Sequence, residues 1–394
     1  MRIRGVIGLL MLSVTLGCGE SAEEVPPPDA GTQIAMGDIA GALRTVLPLS
    51  LSEERFADPA NREVIDRQLA TFAESGAMLA EHVQDRDAGF AFLGRRFAAD
   101  TREIAWRFQA GQTEEARFLL GNVVRDCIAC HARLPSGPSS ALGRRLYEGV
   151  DTAALAPEAL VALQVATRQF DEALETCEAL FGAPHLSATE LDLSGIVATY
   201  LLVAVRVRED PARAQRGLAT LAGRTDVPRY LAAYLQSWQG ALGTLARRDP
   251  APDPVTEARA LLGEARRASR YPADRRALVY GIAASGVLHR LASERPEPSP
   301  ALAEAYYLLG LAEPIFRGPG LSEAEFYLET SIRMAPAAPF APDAYAVLEE
   351  QVLRDYEGSG GSHVPPEARQ RLDALRDLVA GSGGHRNRPG GSPE

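Results

Sequence analysis

The segment Cys127-Ile128-Ala129-Cys130-His131 restricts both the fold and the chemistry of this chain more tightly than any other. Cysteines three apart lie on one turn of a helix, so the two thiols share a side with the neighbouring imidazole beside them. Thiols at this spacing suit addition to the two vinyl groups of a haem, and the adjacent imidazole suits the proximal position under its iron. The residues therefore predict one covalent haem c, held by Cys127 and Cys130, with His131 on the metal. Two other chemistries compete for the same thiols. A thioredoxin-like pair needs its Cys-x-x-Cys at the start of a helix after a strand, whereas Thr113 to Arg125 reads as helix. A zinc site needs a fourth ligand, but the next histidine is His185 and no second cysteine pair exists.

The surrounding chain is long enough for two or three packed units: 394 residues, 46% apolar and 24% charged. Its 41 basic residues are all Arg, against 52 acidic ones, for a net charge of −11. That balance argues against nucleic acid as a partner, because a phosphate backbone is repelled.

Arg2 and Arg4 precede an apolar run, Gly5 to Leu16, that is too short to span a bilayer and has the form of a signal peptide. The run ends in Thr15-Leu16-Gly17-Cys18, which resembles the lipobox of bacterial lipoproteins. The resemblance implies removal of residues 1–17 and acylation of Cys18 as the new N-terminus. Two or more acyl chains there would anchor the protein stably to a membrane. Residues 18–33, with Glu23, Glu24 and Pro26-Pro27-Pro28, read as an extended tether. The compartment is then the bacterial cell envelope on the periplasmic side, where c-type haem is attached. Gly19 and Glu20 favour the outer membrane over the inner.

Residues 34–134 carry four apolar stripes at helical spacing. They run through Met36, Ile39 and Leu43; Ile65, Leu69, Phe72 and Leu79; Phe90, Leu93, Phe97 and Ile104; and Ala116, Leu120, Val123 and Cys127. Pro48, Asn61 as a cap, Asp85 and Asp87, and Gly111 with Thr113 mark the boundaries. Short connections favour antiparallel neighbours, so the expected fold class is all-α, a four-helix bundle first. A bundle with Cys-x-x-Cys-His near the end of its last helix resembles the class II cytochromes c, the cytochrome c-prime group. In that family a basic residue commonly follows the His by four and an aromatic by three; here Arg133 and Leu134 follow by two and three.

Antiparallel geometry places Met36, Met78, His82 and Phe90 at the haem end of such a bundle. The resemblance implies a first-helix residue on the distal face, and Met36 matches that region, as sixth iron ligand. Met78 and His82 stay open as alternatives, as does an empty distal site.

After the linker 135–140, residues 141–356 read as helical repeats. Leu160 to Leu180 resembles a tetratricopeptide unit through Arg168-Gln169-Phe170-Asp171-Glu172-Ala173, with Cys177 at a core position. Asp210 to Leu218 repeats it loosely, and Ala305 to Gly310 with Ala324 to Pro336 is a further match. Such helix pairs form a groove for a partner protein. Residues 357–394 hold a flexible break at Gly358 to Ser362, a short helix over Pro366 to Val379 and a disordered tail. The whole reads as a lipid-anchored one-electron carrier, not an enzyme, whose repeats bind a redox partner or another envelope protein. A haem-based gas or redox sensor and a haem-stabilised scaffold are the alternatives.

Overall fold

The computed structural model describes residues 30–135, 140–148, 150–271, 274–317, 323–358 and 361–383. The expected signal peptide, Cys18, most of the tether, the centre of the linker and the tail beyond 383 lie outside the described residues. Among the described residues the chain is helical apart from one hairpin of two two-residue strands.

The N-terminal helices are α1 (Ala30–Ser50), a short α2 (Glu53–Ala57), α3 (Arg62–His82), α4 (Ala88–Gln109), α5 (Thr113–Asn122) and α6 (Val124–His131). Helix α3 packs between α1 and α4, α4 packs on α5, and α6 touches α4 and α5. The predicted stripes face inward: Ile39, Val46, Ile65, Leu69, Phe72, Phe97, Ile104, Phe108, Ala116 and Leu120 form one core, in which Ala35 is buried and Met36, the first residue of the predicted stripe, is only partly so. Phe56 of α2 closes it against Phe108, edge to face at 5.4 Å between ring centres.

Several expected boundaries move. The first helix starts at Ala30 rather than 34, because Thr32 and Ala35 are buried and extend the inner face. It also runs through Pro48, whose missing N–H costs little in a last turn that Ser50 Oγ closes by donating to Leu47 O at 2.8 Å. Asn61 precedes α3 without capping it, because its side-chain amide donates to Arg55 O at 2.8 Å instead. Asp87 does cap α4, accepting from the N–H groups of Gly89 and Phe90. The fourth stripe is two helices, α5 and α6, parted at Val123.

The C-terminal helices are α7 (Ala141–Glu148), α8 (Pro157–Ala166), α9 (Phe170–Gly182), α10 (Ala188–Leu193) and α11 (Ile196–Leu202), which passes into a π-helical turn, Val203–Val207. Then follow α12 (Pro211–Ala222), α13 (Arg229–Leu245), α14 (Pro254–Ala268), α15 (Leu278–Glu294), α16 (Pro300–Arg317), α17 (Glu323–Met334) and α18 (Ala341–Asp355). Strands β1 (Glu357–Gly358) and β2 (Gly361–Ser362) pair antiparallel across the expected flexible break. Helix α19 (Pro366–Gly383) ends the described chain four residues later than its apolar stripe predicts.

Helix starts follow from local chemistry: Asp210 and Asp253 accept from backbone N–H groups ahead of Pro211 and Pro254, and Ser187 with Glu190 forms a capping box. Helices α17, α18 and α19 pack around one core with Leu348 and Leu375, and helices α8 to α17 share another that includes Tyr200, Trp238, Tyr306 and Tyr327. Cys177 is buried in it, as its place in the apolar pattern requires, and burial pushes its thiol up to about 12. That core also contains Ala132, the residue after the motif.

Among the described residues, no helix is long and apolar enough to cross a membrane.

Candidate haem-binding site

Helix α6 carries the motif in its last turn, with Ala132 as the C-terminal cap. Cys127, Cys130 and His131 are each half-buried, and neither cysteine is in a disulfide. Cys127 rests against the N-terminal core. Burial, then Cys130 and Asp126, push its thiol up to about 12, so it stays protonated at neutral pH. This is the reverse of a thioredoxin-type thiolate. Among the described residues no group of three or more His, Cys, Asp or Glu is placed to hold a metal ion.

His131 lies against α8. Its Nδ1 lies 2.6 Å from Ala166 O. A carbonyl oxygen only accepts, so the proton sits on Nδ1 and the lone pair on Nε2. Burial, with the nearby charge of Arg168, lowers the imidazole to about 4 against the opposing pull of Ala166, so the ring is neutral at pH 7. A neutral ring fixed through one nitrogen by a backbone carbonyl is the form in which histidine ligates metals.

The two residues after the histidine fasten α6 to the C-terminal helices. Arg206, buried on the π-helical turn, donates from Nε to Ala132 O at 2.7 Å and from Nη1 to Ser285 Oγ at 3.1 Å. Arg133, 2% exposed, donates to Glu323 Oε2 at 2.6 Å and has Asp87 at 3.8 Å and the Phe90 ring at 5.1 Å. Burial opposes its charge, but Tyr327, Glu323 and Asp87 around it raise its pKa. Nearby, Ala88 N–H donates to Tyr306 Oη at 3.1 Å and Phe92 stacks on Phe326 at 4.3 Å. The motif thus ends in a polar seam between the two sets of helices.

The distal candidates separate. Met36 is half-buried against the same core as Cys127. Leu47 of α1 and Leu51, just after it, line a groove with Phe118 and Leu119 of α5. Met78 is 37% exposed, and His82 is exposed with its ring against Gly31. The groove has a volume of about 970 Å³ and includes Val124, Ile128 and Leu163. Ile128 and Leu163 lie one turn ahead of His131 and Ala166.

Sequence reasoning found the thiols and the imidazole but missed Ala166, Arg168, Arg206 and Glu323. Ala166 acts through its backbone, Arg168 was read only as part of the repeat-like segment, and Arg206 and Glu323 come from distant segments with no motif of their own.

Comparison of the chain with protein-family models, with curated proteins and with solved structures finds no match in any of the three.

Proposed function

We propose that the chain is an extracytoplasmic c-type cytochrome, lipid-anchored through Cys18, that carries single electrons. On this reading α1, α3, α4 and the α5–α6 pair are a class II-like four-helix bundle. The pairs α8–α9, α12–α13 and α16–α17 are tetratricopeptide-like units.

The observation that carries the reading is the contact of His131 Nδ1 with Ala166 O at 2.6 Å, which leaves Nε2 as the ligating nitrogen of a neutral ring. Two cysteines one helical turn apart, neither in a disulfide, precede it on the same helix. This donor set fits a covalently tethered haem: Cys127 and Cys130 would hold the ring, His131 would ligate the iron and Met36 would take the opposite face. A haem so ligated supplies a one-electron couple, and a thioether ligand raises its potential. The residues around it orient the imidazole, exclude water from its Nδ1 side and hold the end of α6 still. A redox or envelope partner would then dock on faces of the C-terminal helices that do not touch α6. No enzymatic step is assigned.

The test is the absorption spectrum of the full chain exported from a host with c-haem maturation, oxidised, reduced and reduced with CO. Expected are a haem that stays with the denatured chain and a sharp, low-spin reduced spectrum indifferent to CO. A high-spin spectrum that shifts with CO replaces electron transfer with the gas-sensor reading. Absence of covalent haem overturns the cytochrome reading.

A further inference from the structure

Phe118 of α5 is 70% exposed and Leu51, just after α1, is 45% exposed, and both line the groove of about 970 Å³. Large apolar side chains left open to water beside a groove mark a surface that a partner covers. The edge formed by α5 and α6 says which partner fits.

Glu115, Phe118, Asn122 and Arg125 follow one another at steps of three, four and three, so they share one helical face, and all four line the groove. Val123 keeps helical dihedrals, so the face continues from α5 into α6. Glu115 and Arg125 are both exposed and stand at opposite ends of that face, about 15 Å apart along the axis. At that separation they do not pair within one chain. Their midpoint is position 120, which is also the midpoint of Phe118 and Asn122. A second copy turned about a two-fold axis through that midpoint brings Glu115 of each chain opposite Arg125 of the other, and Phe118 of each opposite Asn122 of the other. Gly121 lies beside the axis, and a Cβ there meets nothing within 4 Å, so the surface has room for an incoming ring. Two other arginines of the groove are matched within the chain, Arg117 by Glu114 at 3.0 Å and Arg107 by Glu103 at 2.6 Å. A partner of a single charge sign would be attracted at one end of the face and repelled at the other, whereas an antiparallel copy complements both ends.

We propose that the α5–α6 edge of this groove is a homodimer interface, in which two copies of the chain pack antiparallel with Phe118 of each on the face of the other.

The test is sedimentation equilibrium of the full chain in a density-matched detergent, comparing the parent with Glu115→Arg, with Arg125→Glu and with the double variant. Expected is a parent dimer whose dissociation constant rises about tenfold or more in each single variant, because each reversal sets two like-charged pairs face to face. The double variant should restore the parent value, since it exchanges the signs on both sides of the axis. Thermal midpoints should stay near that of the parent, both positions being exposed. A parent that sediments as a monomer overturns the proposal. So does a dimer that tolerates both single reversals, or one that the double reversal fails to restore. None of these outcomes depends on a haem, so the interface stands or falls separately from the cytochrome reading.

Discussion

Arg133 and Glu323 stand 190 residues apart in the chain and meet at 2.6 Å, each almost fully buried, two residues past the proposed iron ligand. Tyr327 Oη donates to the same Glu323 oxygen at 2.9 Å, so the pair is part of a hydrogen-bonded group and not an isolated contact. Removing one partner strands a buried charge, which costs about 3–5 kcal/mol, whereas replacing both with neutral groups of like size is far less harmful. Arg133→Met alone and Glu323→Gln alone should each destabilise the protein by that order in urea unfolding. The double variant should recover most of the loss. Additive losses would mean that the two residues act separately.

Asp126 gives the protein a pH dependence with a definite sign. It is 5% exposed, with Arg96 Nη2 at 3.2 Å, and burial followed by the Asp100 carboxylate raises it to about 7 despite that arginine. The unfolded carboxyl titrates near pH 3.9, so between about 4 and 7 the folded chain binds the extra proton. Its contribution to stability is complete below about pH 4 and disappears as pH rises through 7. Urea unfolding at pH 5 and pH 7.5 should show a loss on the order of a few kcal/mol in the parent, since each pH unit crossed in that window removes about 1.4 kcal/mol. Asp126→Asn should flatten that difference; an equally steep dependence in the variant would assign it to other groups.

The N-terminal helices were legible because their apolar residues recur at three and four: Ile65, Leu69, Phe72 and Phe97, Ile104, Phe108 all reach the core. The break at Val123 was not. Ala116, Leu120, Val123 and Cys127 continue the stripe across it, and Val123 keeps helical dihedrals, φ −61° and ψ −21°. Nothing in the side-chain pattern changes where the hydrogen-bond ladder does. The cysteines and the histidine were legible as a group, since thiols and imidazole one turn apart are a local arrangement. Its support was hidden because Ala166 contributes a carbonyl, and because Arg133 looks like any exposed basic residue until α17 brings Glu323 to it.

Met36, Met78 and His82 make different predictions for one spectrum. Met36 shares its core with Cys127, while Met78 and His82 are exposed. Met36→Ala should therefore convert a low-spin haem to a form that binds CO, whereas Met78→Ala and His82→Ala should leave the spectrum unchanged. A CO-binding His82→Ala variant beside an unaltered Met36→Ala would transfer the distal role to the histidine.

The turn that holds His131 is itself clamped from outside, and glycine makes the clamp possible. A Cβ on Gly143 of α7 would stand 1.8 Å from Thr167 O and 2.8 Å from its carbonyl carbon, backbone atoms between Ala166 and Arg168 that cannot swing aside. Gly41 lies in mid-helix α1, and a Cβ there meets nothing within 4 Å. The same substitution should thus have opposite signs at the two positions. Gly143→Ala should cost about 1–3 kcal/mol through forced backbone displacement. Gly41→Ala should stabilise by about 0.5–1 kcal/mol through helix propensity alone. Because the displaced turn carries Ala166, Gly143→Ala should also disturb the haem spectrum, while Gly41→Ala should not. A stability loss in Gly143→Ala with an unaltered spectrum would show that α7 braces the α8–α9 turn without reaching the imidazole.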